Sequence, residues 1–306
     1  MQWRVFFSFL FILVVFSLLF YYWFMPGDVQ FRISKPGDSN FSVNSSFGDD
    51  MQFYENLRYK DSIISYKIEN CPLGKEDEVK RSFSWIESKT MLKFYEVASN
   101  EEISVSCEDD FVRGEEGAFV AGEGGVTNVT VTENFNVIFN GKIILIRESN
   151  CADPLVGTHE LLHALGFDHS KNRNNIMYYS VKCDQSLSED IINKINYLYS
   201  FPGYPDLAFE SAAAEMNGRY LNVEMTIRNN GLKDSEPSKI IISGDGEEIK
   251  EIDVESLSIG GGRKITLTNI LVLKPKISQI ELYSFYNGNE LNKQNNKISL
   301  EINEVS

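Results

Sequence analysis

Hydrophobic positions change their spacing along the chain, and each change predicts a different element. Residues 5–24 carry no charge and are mostly apolar, and they are numerous enough for a helix that crosses a hydrocarbon core. Residues 75–91 and 186–201 repeat apolar positions every three or four residues, which predicts amphipathic helices. Short alternating segments between residues 62 and 146 predict strands, and beyond residue 206 such segments are the whole pattern.

This patterning divides the chain into four predicted parts. We predict a transmembrane helix at residues 1–25, a stalk at 26–56, an α+β domain at 57–203 and a β-sandwich of about seven strands at 204–306. The stalk prediction depends on many Gly, Ser, Asn and Asp residues without a sustained apolar period. The domain boundary is marked by two prolines and a glycine within residues 201–207.

The N-terminal apolar run favours a membrane anchor over a removed signal peptide. It is longer than the usual apolar region of a signal peptide, and bulky aromatics stand where small cleavage-site residues are expected. We therefore predict a single-pass membrane protein with the bulk of the chain outside the cell. The alternative is a secreted protein, if the segment is cleaved.

The net charge of the chain limits the kinds of macromolecule that it is expected to bind. The formal net charge is −15, which disfavours nucleic acid, because nucleic acid is bound through patches of Lys and Arg. The membrane contact is therefore assigned to the apolar helix and not to surface charge.

All three histidines of the chain lie within the fourteen residues GTHELLHALGFDHS, at residues 157–170. His159 and His163 are four residues apart, so a helix places both on one face. Gly166 can take the left-handed conformation that ends a helix and lets His169 turn back toward them. Three neutral imidazoles with one coordination position left open are typical of catalytic zinc.

Glu160 follows the first histidine directly and is the predicted catalytic residue. A zinc ion lowers the pKa of its bound water to about 7. A neighbouring carboxylate can then take the proton and return it to a leaving amine. A purely structural metal site needs no such base.

The complete H-E-x-x-H-x-x-G-x-x-H pattern resembles the metzincin zinc endopeptidases. Ser170 after the third histidine, SIISYKI…SWIESKTMLKF and LSEDIINKINYLY are similar to the matrixin branch. The resemblance implies a twisted mixed sheet with helices, a turn carrying Met177 beneath the metal, and protein or peptide substrates. It also implies that a substrate lies extended along an edge strand, for which residues 137–146 and the glycine-rich loop before them are the candidates.

The chain departs from the matrixin pattern in three respects. Tyr179 stands where matrixins usually have proline, and in related branches such a tyrosine approaches zinc or assists the transition state; a packed turn aromatic is the alternative. No spare histidine is left for a second, structural zinc. No propeptide cysteine precedes the domain. Calcium is a candidate cofactor because acidic residues are numerous, although no loop has the spacing of a calcium site.

Four cysteines allow two disulfides in an exported chain, with three pairings. They are Cys71, Cys107, Cys151 and Cys183. We favour Cys151 with Cys183, a bond that would tie the start of the histidine segment to the loop beyond it. Free or buried thiols are the alternative.

The C-terminal region resembles CARDB-type, immunoglobulin-like modules of prokaryotic surface proteins in the segments PDL…IRNNG and NNKISLEI. Taken together, the sequence predicts a membrane-tethered zinc metalloendopeptidase. The alternative is a membrane-anchored surface adhesion or binding protein whose metal site is structural.

Overall fold

The computed structural model describes residues 2–24, 29–35, 41, 43, 51–109, 121–274 and 276–302. The chain divides into two compact units. One contains Met1–Asn40, Asp206–Asn229 and Ser235–Ser306, and the other contains Phe41–Pro205 and Asn230–Asp234.

The N-terminal apolar run is helical, as its composition predicts. Helix α1 spans Gln2–Phe24, and its window Trp3–Phe20 has a mean hydropathy of 2.3 with none of it buried inside the protein. By length and composition the helix could cross a membrane, and a signal sequence would meet the same two criteria.

The unit that carries the histidines is a mixed sheet with three helices. Its strands are β2 (Leu57–Tyr59), β3 (Ile63–Glu69), β4 (Lys93–Glu96), β5 (Ile103–Cys107), β6 (Gly122–Val131) and β7 (Asn136–Leu145). The helices are α2 (Leu73–Lys89), α3 (Leu155–Ala164) and α4 (Glu189–Tyr199). The strand order is β2-β7-β5-β3-β4, and all of these neighbours pair in parallel. Strand β6 pairs with β7 and is the one antiparallel strand described in this sheet.

The strand order decides which strand forms the edge of the sheet next to α3. The strand β7, which covers most of candidate residues 137–146, has neighbours on both sides. Strand β6 pairs on one side, with β7, and it contains the end of the glycine-rich stretch. Residues 110–120 of that stretch lie outside the described residues. Among the strands that the structure describes, the edge is therefore β6, which overlaps the second of the two candidates.

The core of this unit lies between the sheet and its helices. Residues from all three helices are almost fully buried there with residues of the strands, because the apolar positions of each element face inward. Examples are Ile86 of α2, Leu161 of α3, Ile195 of α4 and Ile138 of β7. Buried Arg58 of β2 caps the carboxyl end of α4, with its guanidinium donating to the carbonyls of Leu198 and Phe201.

The C-terminal region is all-β, as predicted. It contributes β8 (Leu207–Asn217), β9 (Tyr220–Asn229), β10 (Ser238–Gly244), β11 (Glu247–Val254), β12 (Gly262–Leu271), β13 (Gln279–Phe285) and β14 (Lys297–Ile302). All pairs are antiparallel. One hairpin turn, between β10 and β11, consists of Asp245 and Gly246, whose φ values are +45° and +84°. Asp and Gly tolerate positive φ better than most residues, which accounts for this pair in the turn.

The stalk prediction for residues 26–56 is wrong in two places. Strand β1 (Val29–Lys35) lies between β14 and β8 in the C-terminal sheet, with Phe31 opposite both Ile302 and Ala214. Apolar residues at 29, 31 and 33 alternate with polar ones, and Phe31 is buried, so this segment has a strand pattern that the polar composition around it concealed. At the other end, the backbone of Met51 and Phe53 is hydrogen-bonded to the loop after α3, so the first domain begins before Leu57.

Candidate active site

The three histidines meet at one point. Nε2 of His159 lies 3.1 Å from Nε2 of His163 and 3.3 Å from Nε2 of His169, and the remaining pair is 3.2 Å apart. Two of the rings are carried by α3 and the third by the loop that follows it. These atoms could together hold one metal ion.

Backbone carbonyls fix the orientation of the two helical histidines. Nδ1 of His159 lies 2.7 Å from the carbonyl oxygen of Ile176, and Nδ1 of His163 lies 2.7 Å from that of Phe167. A carbonyl accepts only from a protonated nitrogen, so both rings carry their proton on Nδ1 and present the Nε2 lone pair to the common point. Burial, and next the charge of His163, lower the pKa of His159 to about 4. The imidazoles are therefore held in the neutral form that ligates metals.

The turn that returns His169 depends on Gly166. Its φ is +95°, and an added Cβ would lie 2.6 Å from Cδ2 of Leu57. A side chain at this position would therefore meet both backbone strain and a steric clash. Helix α3 ends at Ala164, and the N–H of Gly166 donates to the carbonyl of His163 at 3.0 Å.

Glu160 lies against the edge strand. An added Cβ on Gly122 would lie 2.7 Å from Cγ of Glu160, and one on Gly124 would lie 2.2 Å from its backbone oxygen. Both positions must therefore lack a side chain for α3 to approach β6 this closely. Burial, with a smaller contribution from Glu123, raises the pKa of Glu160 to about 8. A divalent cation nearby would favour the carboxylate form and lower that pKa.

Met177 is buried in a turn that is tied to its surroundings by hydrogen bonds. Its N–H donates to Oδ1 of Asn175 at 2.9 Å, and its carbonyl accepts from the N–H of Ser170 at 2.8 Å. Asn175 in turn donates to Oγ of Ser188, just before α4. The carbonyl of Ile176, in the same turn, accepts the hydrogen bond from His159. The turn therefore helps to orient a metal-site histidine as well as holding Met177.

Tyr179 lies two residues after Met177 in the chain. Its side chain is 65 % exposed, and its ring lies 4.4 Å from that of Tyr178. This exposure does not fit the alternative of a packed turn aromatic.

Both cysteine pairs form disulfides. Cys151 is bonded to Cys183, the pairing favoured from sequence, and Cys71 is bonded to Cys107. The first bond joins the segment before α3 to the segment after the Met177 turn. The second joins the segment before α2 to the end of β5.

Sequence reasoning missed the capping of α3. Its N-cap, Pro154, makes no side-chain capping hydrogen bond, but buried Glu78 of α2 accepts from the N–H of Gly157 at 3.2 Å. The available signal was an acidic residue at a buried position of an amphipathic helix. A ring contact was also missed, since Phe53 stacks on His163 with centroids 5.8 Å apart.

The donor set fits zinc. Zinc–nitrogen bonds of about 2.0–2.1 Å at tetrahedral angles place the ligand nitrogens about 3.3 Å apart, close to the spacing seen here. Imidazole nitrogen is a preferred zinc donor, whereas calcium and magnesium prefer oxygen.

Residues 55–200 match the family model described as Matrixin. We refer to these residues as the matrixin domain. With its histidine triad, the domain is of the zinc metalloprotease type, as the sequence resemblance implies. Residues 204–300 match the CARDB family model, and we refer to them as the CARDB domain.

Solved structures similar to single domains of the chain include a hatching enzyme zinc-protease from the medaka fish Oryzias latipes. It is 17 % identical, with 46 % of this chain and 90 % of that chain covered and a TM-score of 0.32. A CARDB domain from Pyrococcus furiosus, in complex with di-metal ions, is 18 % identical over 32 % of this chain and 88 % of its own, with a TM-score of 0.26.

A domain of a putative cell surface protein from Methanosarcina acetivorans is 20 % identical over 34 % of this chain and 95 % of its own, with a TM-score of 0.28. With TM-scores this low, the domain assignments depend on the family models. No curated protein matches the chain.

Proposed function

We propose that the protein is a zinc endopeptidase that hydrolyses peptide bonds of proteins outside the cell, with Glu160 as general base and general acid. The observation that carries the proposal is the convergence of three Nε2 atoms within 3.1–3.3 Å, with a carboxylate at the next position of the same helix. A site that only held metal for stability would have no use for that carboxylate.

His159, His163 and His169 would hold the zinc ion. When bound, zinc supplies Lewis acidity, which polarises the scissile carbonyl and acidifies a water molecule. Glu160 takes the proton from the attacking water and delivers it to the leaving amine nitrogen. The carbonyls of Ile176 and Phe167 keep the two helical rings in the tautomer that binds metal.

The edge strand β6 supports an endopeptidase over an enzyme limited to chain ends. The side of β6 away from β7 has no partner strand among the described residues and can pair with an extended substrate by strand addition. Gly122 and Gly124 place the strand directly beside Glu160. Backbone pairing of this kind recognises any extended segment, so unfolded proteins and exposed loops are the proposed substrates.

Location outside the cell is supported by the covalent structure. Two disulfides persist in oxidising compartments and are rare in the reducing cytosol. Helix α1 has the length and composition for a single-pass anchor. Labelling of intact cells with a membrane-impermeant reagent tests this part, and a chain that is protected from label would contradict it.

We also propose that the hydroxyl of Tyr179 stabilises the transition state. Replacing Tyr179 with Phe removes only that hydroxyl, and kcat should fall about tenfold or more while KM changes little. Tyr220→Phe, which removes the hydroxyl of an exposed tyrosine in β9, is the matched control. Equal activity of both variants and the wild type would leave Tyr179 as a surface aromatic.

The decisive experiment compares wild type with Glu160→Gln in the full chain. We expect both to hold one zinc, and we expect Glu160→Gln to cleave an unfolded protein at least about 100-fold more slowly. Glu189→Gln, an exposed change in the first turn of α4, is the control and should cleave normally. Undiminished cleavage by Glu160→Gln refutes the assigned mechanism. Wild type that holds zinc but cleaves nothing favours the adhesion alternative.

A further inference from the structure

A cluster of buried oxygen-bearing side chains lies at one end of the CARDB domain, far in sequence from the histidines. Asp206, just before β8, is 1 % exposed, and Asn295 and Asn296, just before β14, are 6 % and 3 % exposed. Glu290, in the same β13–β14 connection, is half-buried. The cluster brings two carboxylates and two amides together in a largely apolar domain.

Hydrogen bonds show that these side chains are neighbours in space. Nδ2 of Asn295 donates to Oδ1 of Asp206 at 2.9 Å. Nδ2 of Asn296 donates to Oε2 of Glu290 at 2.6 Å. Oε1 of Glu290 accepts from the N–H of Leu207, the residue after Asp206, at 3.0 Å. The four residues thus form one connected group.

The two amides have unused acceptors. Oδ1 of Asn295 and Oδ1 of Asn296 are buried, and neither accepts a hydrogen bond from any residue that the structure describes. The hydroxyl of Ser284 is also buried and also has no hydrogen-bond partner among the described residues. Ser284 is a neighbour of Asn296, because its backbone carbonyl accepts a hydrogen bond from Nδ2 of Asn296. A buried polar atom without a partner is unfavourable, and most such atoms in folded proteins have one. These three buried oxygens belong to residues in the same hydrogen-bonded group as the two carboxylates, and a bound cation would supply the electropositive partner that they lack.

We propose that Asp206, Glu290, Asn295 and Asn296 form a binding site for a hard divalent cation of the calcium class. Carboxylate and amide oxygens are the ligands that calcium takes, six to eight at a time, and the cluster offers two carboxylates, two amide carbonyls and the Ser284 hydroxyl. The cluster has no imidazole or thiolate, so zinc is disfavoured. The cation ties the start of β8 to the β13–β14 connection.

The test uses the full, zinc-loaded chain carrying Glu160→Gln, which prevents self-digestion. Calcium chloride is titrated calorimetrically, and thermal unfolding is followed with and without calcium. We expect one calcium per chain with a Kd of about 1 mM or below, and an unfolding midpoint that rises with calcium concentration. No binding up to about 10 mM calcium together with an unchanged midpoint would overturn the proposal.

Variants locate the site. Asp206→Asn and Glu290→Gln each remove one negative charge at constant size, and each should weaken calcium binding about tenfold or more. Glu247→Gln, an exposed change in β11 of the same domain, is the control and should bind as the parent does. Equal affinity in all three variants would mean that calcium binds elsewhere, and the proposed site would be wrong.

One further variant decides the matter if the charge-removing variants do not fold. Asn295→Asp keeps the side-chain size and adds a negative ligand, so it should tighten calcium binding about tenfold. Unchanged or weaker binding by a folded Asn295→Asp chain would overturn the proposal, since a buried water would explain the oxygens equally well.

Discussion

Oε1 of Glu78 accepts a hydrogen bond from the N–H of Gly157 at 3.2 Å, so a carboxylate of α2 caps the helix that carries His159 and His163. The N-cap position itself is Pro154, which has no side-chain acceptor to offer. The negative charge also lies at the positive end of the helix dipole. The metal-bearing helix is thereby oriented from a neighbouring element, and several consequences can be measured.

Glu78→Ala should destabilise the matrixin domain by about 1–2 kcal/mol and weaken zinc binding, because the orphan N–H groups of α3 lose their acceptor. Glu78→Gln retains an acceptor oxygen and should be much milder. Asp77→Asn, an exposed change on the same helix, is the control. Chemical unfolding and zinc competition titration measure both effects, and equal stability of Glu78→Ala and Asp77→Asn would refute the capping role.

The burial of Glu78 makes the stability of the folded domain depend on pH. Burial raises the pKa of this carboxyl, against the hydrogen bond from Gly157 that lowers it. Because the pKa in the folded protein is raised, its contribution to stability is fully present below the unfolded value of about 4.3 and is lost as pH rises through the folded pKa. Zinc-free Glu78→Gln should therefore gain stability relative to wild type as pH rises from about 4 to 7. A constant difference across this range would contradict the assignment.

Gly124→Ala should impair catalysis more than stability. Its Cβ would lie 2.2 Å from the backbone oxygen of Glu160, so β6 and α3 would have to separate. A displacement of about 1 Å at a catalytic group can reduce the rate about 100-fold. A Cβ on the adjacent Gly125 meets nothing within 4 Å, so Gly125→Ala should lower kcat/KM far less. Similar kcat/KM values for the two variants would show that the close approach is unimportant.

The two disulfides should contribute similar stability but differ in their effect on the metal site. They close segments of similar length, with sequence separations of 36 and 32, so loss of either should cost about 3–4 kcal/mol. Replacing Cys151 and Cys183 with Ser should also weaken zinc binding, because this bond joins the segments that flank the histidines and Met177. Replacing Cys71 and Cys107 is the control, and equal zinc affinity in both double variants would contradict the prediction.

Arg58 should be irreplaceable by lysine. Its guanidinium is buried, lies 4.5 Å from the Tyr199 ring and donates to several carbonyls, including that of Phe201. Lysine retains the charge but cannot reproduce the planar array of donors. We expect Arg58→Lys to lower the free energy of unfolding by about 3 kcal/mol. Lys60→Met, an exposed neighbouring change, should have little effect, and a stable Arg58→Lys would argue against the capping of α4.

Much of the candidate site could be predicted because its geometry is local. The four-residue spacing of His159 and His163 places both rings on one helix face, and Gly166 permits the turn that returns His169. The amphipathic pattern likewise located α2 and α4 within a few residues. The contacts of Glu78 and Arg58 could not be predicted in this way, since each joins elements that are far apart in sequence.

The N-terminal segment illustrates the same limit. The alternation at residues 29–35 is short, and the polar composition around it suggested a stalk. Its role as β1 depends on hydrogen bonds to β8 and β14, which begin at Leu207 and Lys297. Nothing in seven residues specifies partners that far along the chain.

The sequence by itself determined the kinds of elements, the histidine triad with its acidic neighbour, and the order of two domains after an apolar helix. It could do so because helical and strand periodicities are set by the backbone within a few residues. Only the tertiary structure decided which strand forms the edge beside Glu160, which carboxylate caps α3, and which oxygens gather around Asp206. Those outcomes depend on packing and pairing between distant segments, whose free energy is gained only when the whole domain folds.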